Sequence, residues 1–354
     1  MATDLKARIE AVIDPMLGRS LGALNMVESA DTGLIGGVKV RLRLPVPNYP
    51  LVPELERRVG TAIDGARVDV AMEIMNDQQR SELMGRLRRE AGPRPGDPGS
   101  STRVIAVSSG KGGVGKSSVT ANLAVALAAA GNRVGVIDGD IWGFSIPRML
   151  GVVHSPVIID QSIIPPTAHG VKVMSMEYFV PADQAVIWRG PMLHKAIEQF
   201  LTDVFWDSPD LLLVDMPPGT GDVAISMSQF LPRAQVLLVT TPQPTAQRVA
   251  RRAALMAQKV DQEVMGVVEN MSWFTGDDGK RYLLFGAGGG EALSSELGVP
   301  LLAQIPLLPP MREGADAGHP VVPGSEGAQA FAALAAEVMA HRPRVRTHPQ
   351  LVIR

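Results

Sequence analysis

Cysteine is absent from all 354 residues. That excludes disulfides, cysteine nucleophiles and any metal or cluster centre built on this chain's own thiolates. Neither charge sign dominates. With 34 Lys and Arg against 36 Asp and Glu, the net charge is −2, so no broad positive field favours nucleic acid. Long apolar runs are missing too: a membrane span needs roughly 18 residues, and the best run, Val119 to Ala130, is too short and carries Asn122. The opening MATDLKARIE reads as an amphipathic helix with both charge signs rather than a signal peptide. The expectation is a cytoplasmic protein with neither nucleic-acid nor membrane partners. Its histidines (His154, His169, His194, His319, His341, His348) show no pair at metal-ligand spacing, and each reads as a surface or internally satisfied imidazole.

Hydrophobic residues make up 45% of the chain, ample for buried cores, and the length suggests two or three domains. The stretch VIAVSSGKGGVGKSSVTAN (Val104–Asn122) organises the rest. An apolar strand, Val104–Val107, runs into a glycine-rich loop and then a helix, Lys116 to Ala130, which Gly131-Asn132 ends. Gly110 to Ser117 fits G-x-x-x-x-G-K-[ST] in the strand–loop–helix context that this phosphate-binding motif requires. Gly110, Lys111, Gly112, Gly113, Val114 and Gly115 curl successive N–H groups toward phosphate oxygens, and the helix start at Lys116, Ser117 and Ser118 adds partial positive charge. Lys116 suits the β- and γ-phosphates of ATP, and the Ser117 hydroxyl suits Mg²⁺. Lys111 is a second lysine that an ordinary phosphate loop does not need: a solvated charge, or a cation for phosphates across a subunit boundary.

Residues 1–91 read as a small α/β domain. Asp4–Ile13 has helical periodicity stopped by Asp14-Pro15. Leu51–Ile63 reads as a helix, and Val38–Leu44 and Val68–Ile74 alternate as half-buried strands. Nothing there forms a catalytic set. Residues 92–101 (GPRPGDPGSS) have linker composition. Over 102–341 strands and helices alternate, which implies a mostly parallel sheet covered by helices on both faces; with the phosphate-binding motif at Gly110–Ser117 the expected fold is a P-loop NTPase. Strands are expected at Val104–Val107, Val134–Ile137, Leu211–Val214, Val236–Thr240, Val264–Val268 and Leu301–Ile305. Motifs fall at their carboxyl ends, where ligands sit on such sheets. Asp138 and Asp140 close the second strand, suited to Mg²⁺-bound water, with a helix N-cap as the competing role for either. Asp215 closes the third and suits Mg²⁺; Pro217–Asp222 then form a stiff turn. Asn270 follows the fifth strand, where Asn commonly forms a turn. Ser325–Ala340 is an alanine-rich helix, and the basic tail 342–354 is broken by Pro343 and Pro349.

These residues resemble a known family. KGGVGKS is similar to the deviant Walker A signature of MinD/ParA-like ATPases. IWRGPM (Ile187–Met192), DMPPGTGD (Asp215–Asp222) and FGAGGGEALSSELGVPLLAQIP (Phe285–Pro306) resemble the Mrp-type ATPases among them, the iron–sulfur cluster carriers. The pattern DPMLGRSLGALNMV with PNYPL and RVDVAMEI resembles the small domain often fused to Mrp proteins, although relatives carry cysteine where Tyr49 stands. The resemblance implies a homodimeric, Mg²⁺-dependent ATPase acting in iron–sulfur assembly or transfer, with assembly or client apoproteins as partners. Lys111 would reach the partner subunit's nucleotide, and Lys116 and Asp140 would join it in catalysis. Mg²⁺ would sit near Ser117, Asp140 and Asp215, with Asp138 in an outer-shell role. Asn270 would contact adenine, and Ile305–Pro320 would wall the base pocket. The alternatives are a regulatory or scaffolding ATPase, or a MinD/ParA-like positioning ATPase.

The chain departs from that family again after Asn270. Mrp-type carriers place a C-x-x-C pair after the Asn at 270; here Thr275, Gly276, Asp277, Asp278 and Gly279 stand there. TGDDG reads as a solvated hairpin turn, because carboxylates favour harder ions than the iron of a thiolate-held cluster.

Overall fold

Alternation of apolar and charged residues decides how the first strands lie. Val38, Val40, Leu42 and Leu44 are buried while Lys39 and Arg41 between them are exposed, as a strand with one face on a core requires. The computed structural model describes residues 2–32, 37–63, 68–140, 143–179, 190–217, 229–320 and 324–343. They form two units.

The first unit comprises Met1–Gly92, His154–Pro166 and Asp203–Asp207. Its elements are α1 (Ala2–Glu10), β1 (Val27–Thr32), β2 (Val38–Leu44), α2 (Val52–Ala62), β3 (Val68–Ile74) and α3 (Asp77–Ala91). The sheet order is β1-β2-β3, with β1 antiparallel and β3 parallel to β2. A capping box starts α3: Asn76 Oδ1 accepts from the Gln79 amide, and Gln79 Oε1 accepts from the Asn76 amide, both at 2.9 Å. Leu83, Met84 and Leu87 then reach the core. Asp14, the expected helix stop, is itself buried; it accepts from the amides of Met16 (3.0 Å) and Leu17 (2.6 Å) and from the Tyr49 hydroxyl (2.7 Å). Burial raises its pKa above the usual carboxylate value against those bonds.

A hairpin, β6 (Val157–Ile159) and β7 (Ser162–Ile164), turns through Asp160 and Gln161 at φ 43° and 62°, the left-handed pair of a tight two-residue turn. Ile159, Ile164 and Phe205 enter the first unit's core. Arg88 donates to Ser162 Oγ at 2.9 Å, and Arg19 forks onto Asp207 at 2.6 and 3.2 Å. The division of the sequence at 92–101 assigned these two segments to the ATPase part. Their apolar side chains complete the smaller core instead.

The second unit comprises Pro93–Val153, Thr167–Thr202 and Ser208–Arg354. Its eight-stranded sheet runs β15-β12-β11-β4-β10-β5-β9-β8. The strands are β4 (Arg103–Ser109), β5 (Val134–Asp138), β8 (Thr167–Ala168), β9 (Val171–Ser175), β10 (Leu211–Asp215), β11 (Gln235–Thr240), β12 (Glu263–Asn270) and β15 (Leu301–Ile305). Every pairing is parallel except β8 with β9. The helices are α4 (Lys116–Ala129), α5 (Ile146–Met149), α6 (Gly190–Thr202), α7 (Pro244–Lys259), α8 (Gly289–Leu297), α9 (Pro309–Asp316) and α10 (Glu326–Ala340). All six expected strands are present. β10 and β11 are buried along their whole length, which requires cover on both faces. β15 departs from the expectation: an edge strand, it is only half-buried at Leu301, Leu302 and Ala303. The linker composition also misleads. Pro95 is buried, and a Cβ on Gly96 would fall 2.6 Å from Leu231, so this stretch packs on the second unit. No described helix is long and apolar enough to cross a membrane.

Candidate nucleotide site

The phosphate loop bridges β4 and α4, with Gly113 and Gly115 at φ 81° and 78°, a region glycine enters without strain. Gly110 is needed for another reason: a Cβ there would lie 2.1 Å from the backbone of Val249 and Ala250 in α7. Val114 is buried and plugs the loop into the core, while Gly112 and Gly113 face outward. Ser118 follows on the first turn of α4, its carbonyl accepting from Asn122 at 2.7 Å.

Parallel registry sets the carboxylates beside the loop. Asp215 pairs with Val107 of β4 and with Asp138 of β5, so both acids end their strands at one level. Lys116, only 6% exposed, donates from Nζ to Asp215 Oδ2 at 2.7 Å. The Ser117 hydroxyl donates to the same oxygen at 2.5 Å, and Thr120 donates to Oδ1 at 2.8 Å. Asp140 stands 3.7 Å from the Lys116 ammonium. Thr120 escaped the sequence reading, though its position one helical turn after Lys116 puts it on the same face.

Asp138 is fully buried. It accepts from the amides of Asp140 (3.3 Å), Ser145 (3.1 Å) and Ile146 (3.2 Å) and from Ser175 Oγ (3.3 Å). Burial, reinforced by the nearby Asp215 charge, pushes its pKa up to about 7. Its contacts are those of a carboxylate organising the turn into α5. Two carboxylates, Asp215 and Asp140, thus flank one ammonium, an excess of negative charge that suits a divalent cation.

Lys111 lies outside this cluster. Its Nζ donates to Gln243 Oε1 at 3.1 Å, and its carbonyl accepts from Ser109 Oγ at 3.1 Å. Asn270 donates from Nδ2 to the Val114 carbonyl at 2.9 Å, tying the end of β12 to the phosphate loop; a Cβ on Gly115 would sit 2.3 Å from that amide nitrogen. Neighbouring Glu269, also missed from sequence, is buried and accepts from Ser272 Oγ (2.9 Å), Gln304 (3.0 Å) and the Gly290 amide (2.5 Å). Those bonds hold the start of α8 against β12. The segments 187–189 and 218–222, and residues 141 and 142 within DGDIWGFS, lie outside the described residues.

The TGDDG stretch is a hairpin: β13 (Phe274–Thr275) pairs antiparallel with β14 (Arg281–Tyr282). Asp278 accepts from the Lys280 amide (3.0 Å) and the Tyr282 hydroxyl (2.9 Å), and the Arg281 guanidinium lies 4.3 Å from the Trp273 ring centre. Among the described residues, no group of three or more His, Asp or Glu is placed to hold a metal by itself.

A parallel sheet carrying this loop and these strand-end carboxylates defines a P-loop NTPase. Residues 100–339 match the family described as ParA, NUBPL iron-transfer P-loop NTPase, and the chain belongs to it. The chain is 48% identical over 336 residues to the iron–sulfur cluster carrier protein of Mycobacterium tuberculosis, covering 90% of this chain and 88% of that one. It is 43% identical over 353 residues to the carrier of Deinococcus radiodurans, covering 97% and 96%. Among solved structures it is similar to a nucleotide-binding protein of Archaeoglobus fulgidus in complex with ADP (TM-score 0.55, 35% identity, 62% of this chain and 87% of that one). It is also similar to the septum site-determining protein MinD of Pyrococcus horikoshii complexed with Mg-ADP (TM-score 0.50, 28% identity, 67% and 96%).

Proposed function

We propose that this protein is a homodimeric, Mg²⁺-dependent ATPase whose nucleotide state drives partner engagement in iron–sulfur cluster assembly or transfer. The observation that carries the reading is the convergence of Lys116, Ser117 and Thr120 on Asp215 beneath the phosphate loop. The donor set fits Mg·ATP. Ser117 Oγ and Asp215 would hold the ion, in part through water, with Asp140 beside them; the metal would neutralise charge on the phosphoryl oxygens. Lys116 would turn from Asp215 to the β- and γ-phosphates, the loop amides would cradle them, and Asp140 would orient the attacking water. Thr120 would keep Asp215 aimed. Lys111 would leave Gln243 for the nucleotide of the partner subunit. Asn270 would meet the adenine edge through Oδ1, since its amide nitrogen serves Val114.

The cluster is cargo, and this chain has no thiolate to offer it. Its ligands would come from a partner protein. A second reading, a nucleotide-switched scaffold that never meets a cluster, is favoured by the hairpin's content: its described carboxylate contacts are internal. Anaerobic reconstitution with iron and sulfide, with and without a cysteine-bearing scaffold partner and ATP, tests this. ATP-dependent movement of cluster between partners supports the first reading. Full transfer with this protein omitted, or unchanged by Lys116→Ala, contradicts it.

A further inference from the structure

We propose that the first unit carries a binding pocket for a short peptide segment of a partner protein in which an apolar side chain adjoins a carboxylate. The pocket is a cavity of about 410 Å³ between the end of β3 and α3, within the roughly 300–1,000 Å³ of ordinary ligand sites. Its floor is apolar and set in the core: Leu24 is 0% exposed, and Met75 and Leu83 are each 4% exposed. Its wall carries Arg43, Arg86 and Arg89.

The three guanidinium groups differ in what already holds them. Arg43 is neutralised by Glu28 at 2.5 Å. Arg86 donates to the Ala23 carbonyl, a neutral acceptor. Arg89 lies back over Gly85, where a Cβ would be 3.5 Å from its Nη1. Among the described residues, neither Arg86 nor Arg89 forms a salt bridge. The nearest acid on the lining, Glu82, instead accepts from Gln78 at 2.8 Å. Arg86 and Arg89 stand three residues apart on one helix face, and the capping box fixes that helix at its other end.

The chemistry of the occupant follows. Two guanidiniums without a carboxylate of their own recognise one through charge-assisted, forked bonds. The buried floor offers nothing to a bare inorganic anion, whereas an aliphatic or aromatic side chain gains by leaving water there. A purely apolar ligand would leave the two charges desolvated and unpaired, which is costly. Only a ligand with both features satisfies both walls, and an acidic–apolar peptide segment supplies them on adjacent residues. This inference rests on the first unit alone and stands apart from the ATPase reading.

Fluorescence anisotropy of a labelled peptide, Asp-Leu-Glu-Phe, titrated with the full chain tests it. Binding that weakens with salt, and weakens at least tenfold in the Arg86→Gln/Arg89→Gln protein, is expected. The basic peptide Lys-Leu-Lys-Phe is expected not to bind, and Arg57→Gln/Arg58→Gln, which removes two charges from α2, is expected to change nothing. If the double variant loses its folded circular-dichroism signal, Arg89→Glu at an exposed position carries the same expectation. No binding of the acidic peptide at millimolar protein, equal binding by variant and parent, or full displacement by equimolar inorganic phosphate would each overturn the proposal.

Discussion

The phosphate loop and the 273–284 hairpin stand close in the sequence logic of this chain and have had opposite fates. The loop keeps each element that nucleotide chemistry asks for: two lysines, a Ser at the helix start, and carboxylates at the ends of β5 and β10. The hairpin, where the resemblance to Mrp-type carriers leads to an expectation of paired thiolates, carries Asp277, Asp278, Lys280 and Arg281. A site for nucleotide can therefore stand complete in a chain that carries no thiol in this hairpin. The first region is built into the central sheet, where registry fixes Asp215 and Asp138 to within a residue. The second region is a two-strand ribbon in which Phe274 is half-buried and Thr275, Arg281 and Tyr282 are exposed.

The contrast can be broken most sharply at Lys116. Lys116→Ala removes the ammonium from the loop and is expected to lower Mg²⁺-dependent phosphate release by about a hundredfold or more. Asp277→Ala/Asp278→Ala in the hairpin is expected to leave it within about twofold. Equal losses in the two variants would mean that the hairpin belongs to the catalytic apparatus.

Asp138 gives the next largest effect, read as pH dependence in metal-free buffer. Its folded pKa, pushed up to about 7, lies above the unfolded value of 3.8. The folded state therefore binds its proton more tightly. The stability contributed by this group is full below about pH 4 and is lost as pH rises toward 7. Denaturant unfolding of Asp138→Asn should lack that decline, so the stability difference between variant and parent should grow in the variant's favour from pH 4 to 7. A difference independent of pH would contradict the assignment.

A smaller effect separates the two units. Tyr49→Phe deletes the hydroxyl that donates to buried Asp14, at an expected cost of about 1–2 kcal/mol in the unfolding of the first unit. ATP turnover should not change, since the bond lies wholly in that unit; a loss of turnover would show that the first unit supports the site. Smallest of all, Arg281→Ala removes the guanidinium from the Trp273 face. That should cost about 0.5–1 kcal/mol and shift Trp273 fluorescence without altering nucleotide affinity, which a titration with a fluorescent ATP analogue would check.

Much of this molecule is legible in its sequence, for identifiable reasons. Val134–Ile137 and Leu211–Val214 announce themselves as buried parallel strands because both faces are covered, and Gly110–Ser117 because phosphate binding demands a rare glycine spacing. What escapes depends on partners distant in the chain. Strands β8 and β9 are too short or too ordinary to stand out. The hairpin at 157–164 joins the first unit through Ile159 and Ile164, which no local pattern reveals. Asn270 reads as a base contact, and only the fold shows its amide committed to Val114. Lys111 is conspicuous from spacing alone, yet Gln243, which accepts from it, lies 132 positions away.

In the proposed cycle two copies close over nucleotide, with Lys111 of one acting on the ATP of the other. Mixing two inactive proteins tests it most directly. Lys111→Ala retains its own Lys116, Ser117, Asp140 and Asp215 but supplies no lysine across the interface; Asp140→Ala supplies Lys111 but cannot position water in its own site. The mixture is expected to hydrolyse ATP well above the sum of its separate components, approaching about a quarter of the parental rate if subunits exchange freely and one restored site per heterodimer works. A mixture no more active than its parts, with subunit exchange verified by labelled protein, would contradict the claim.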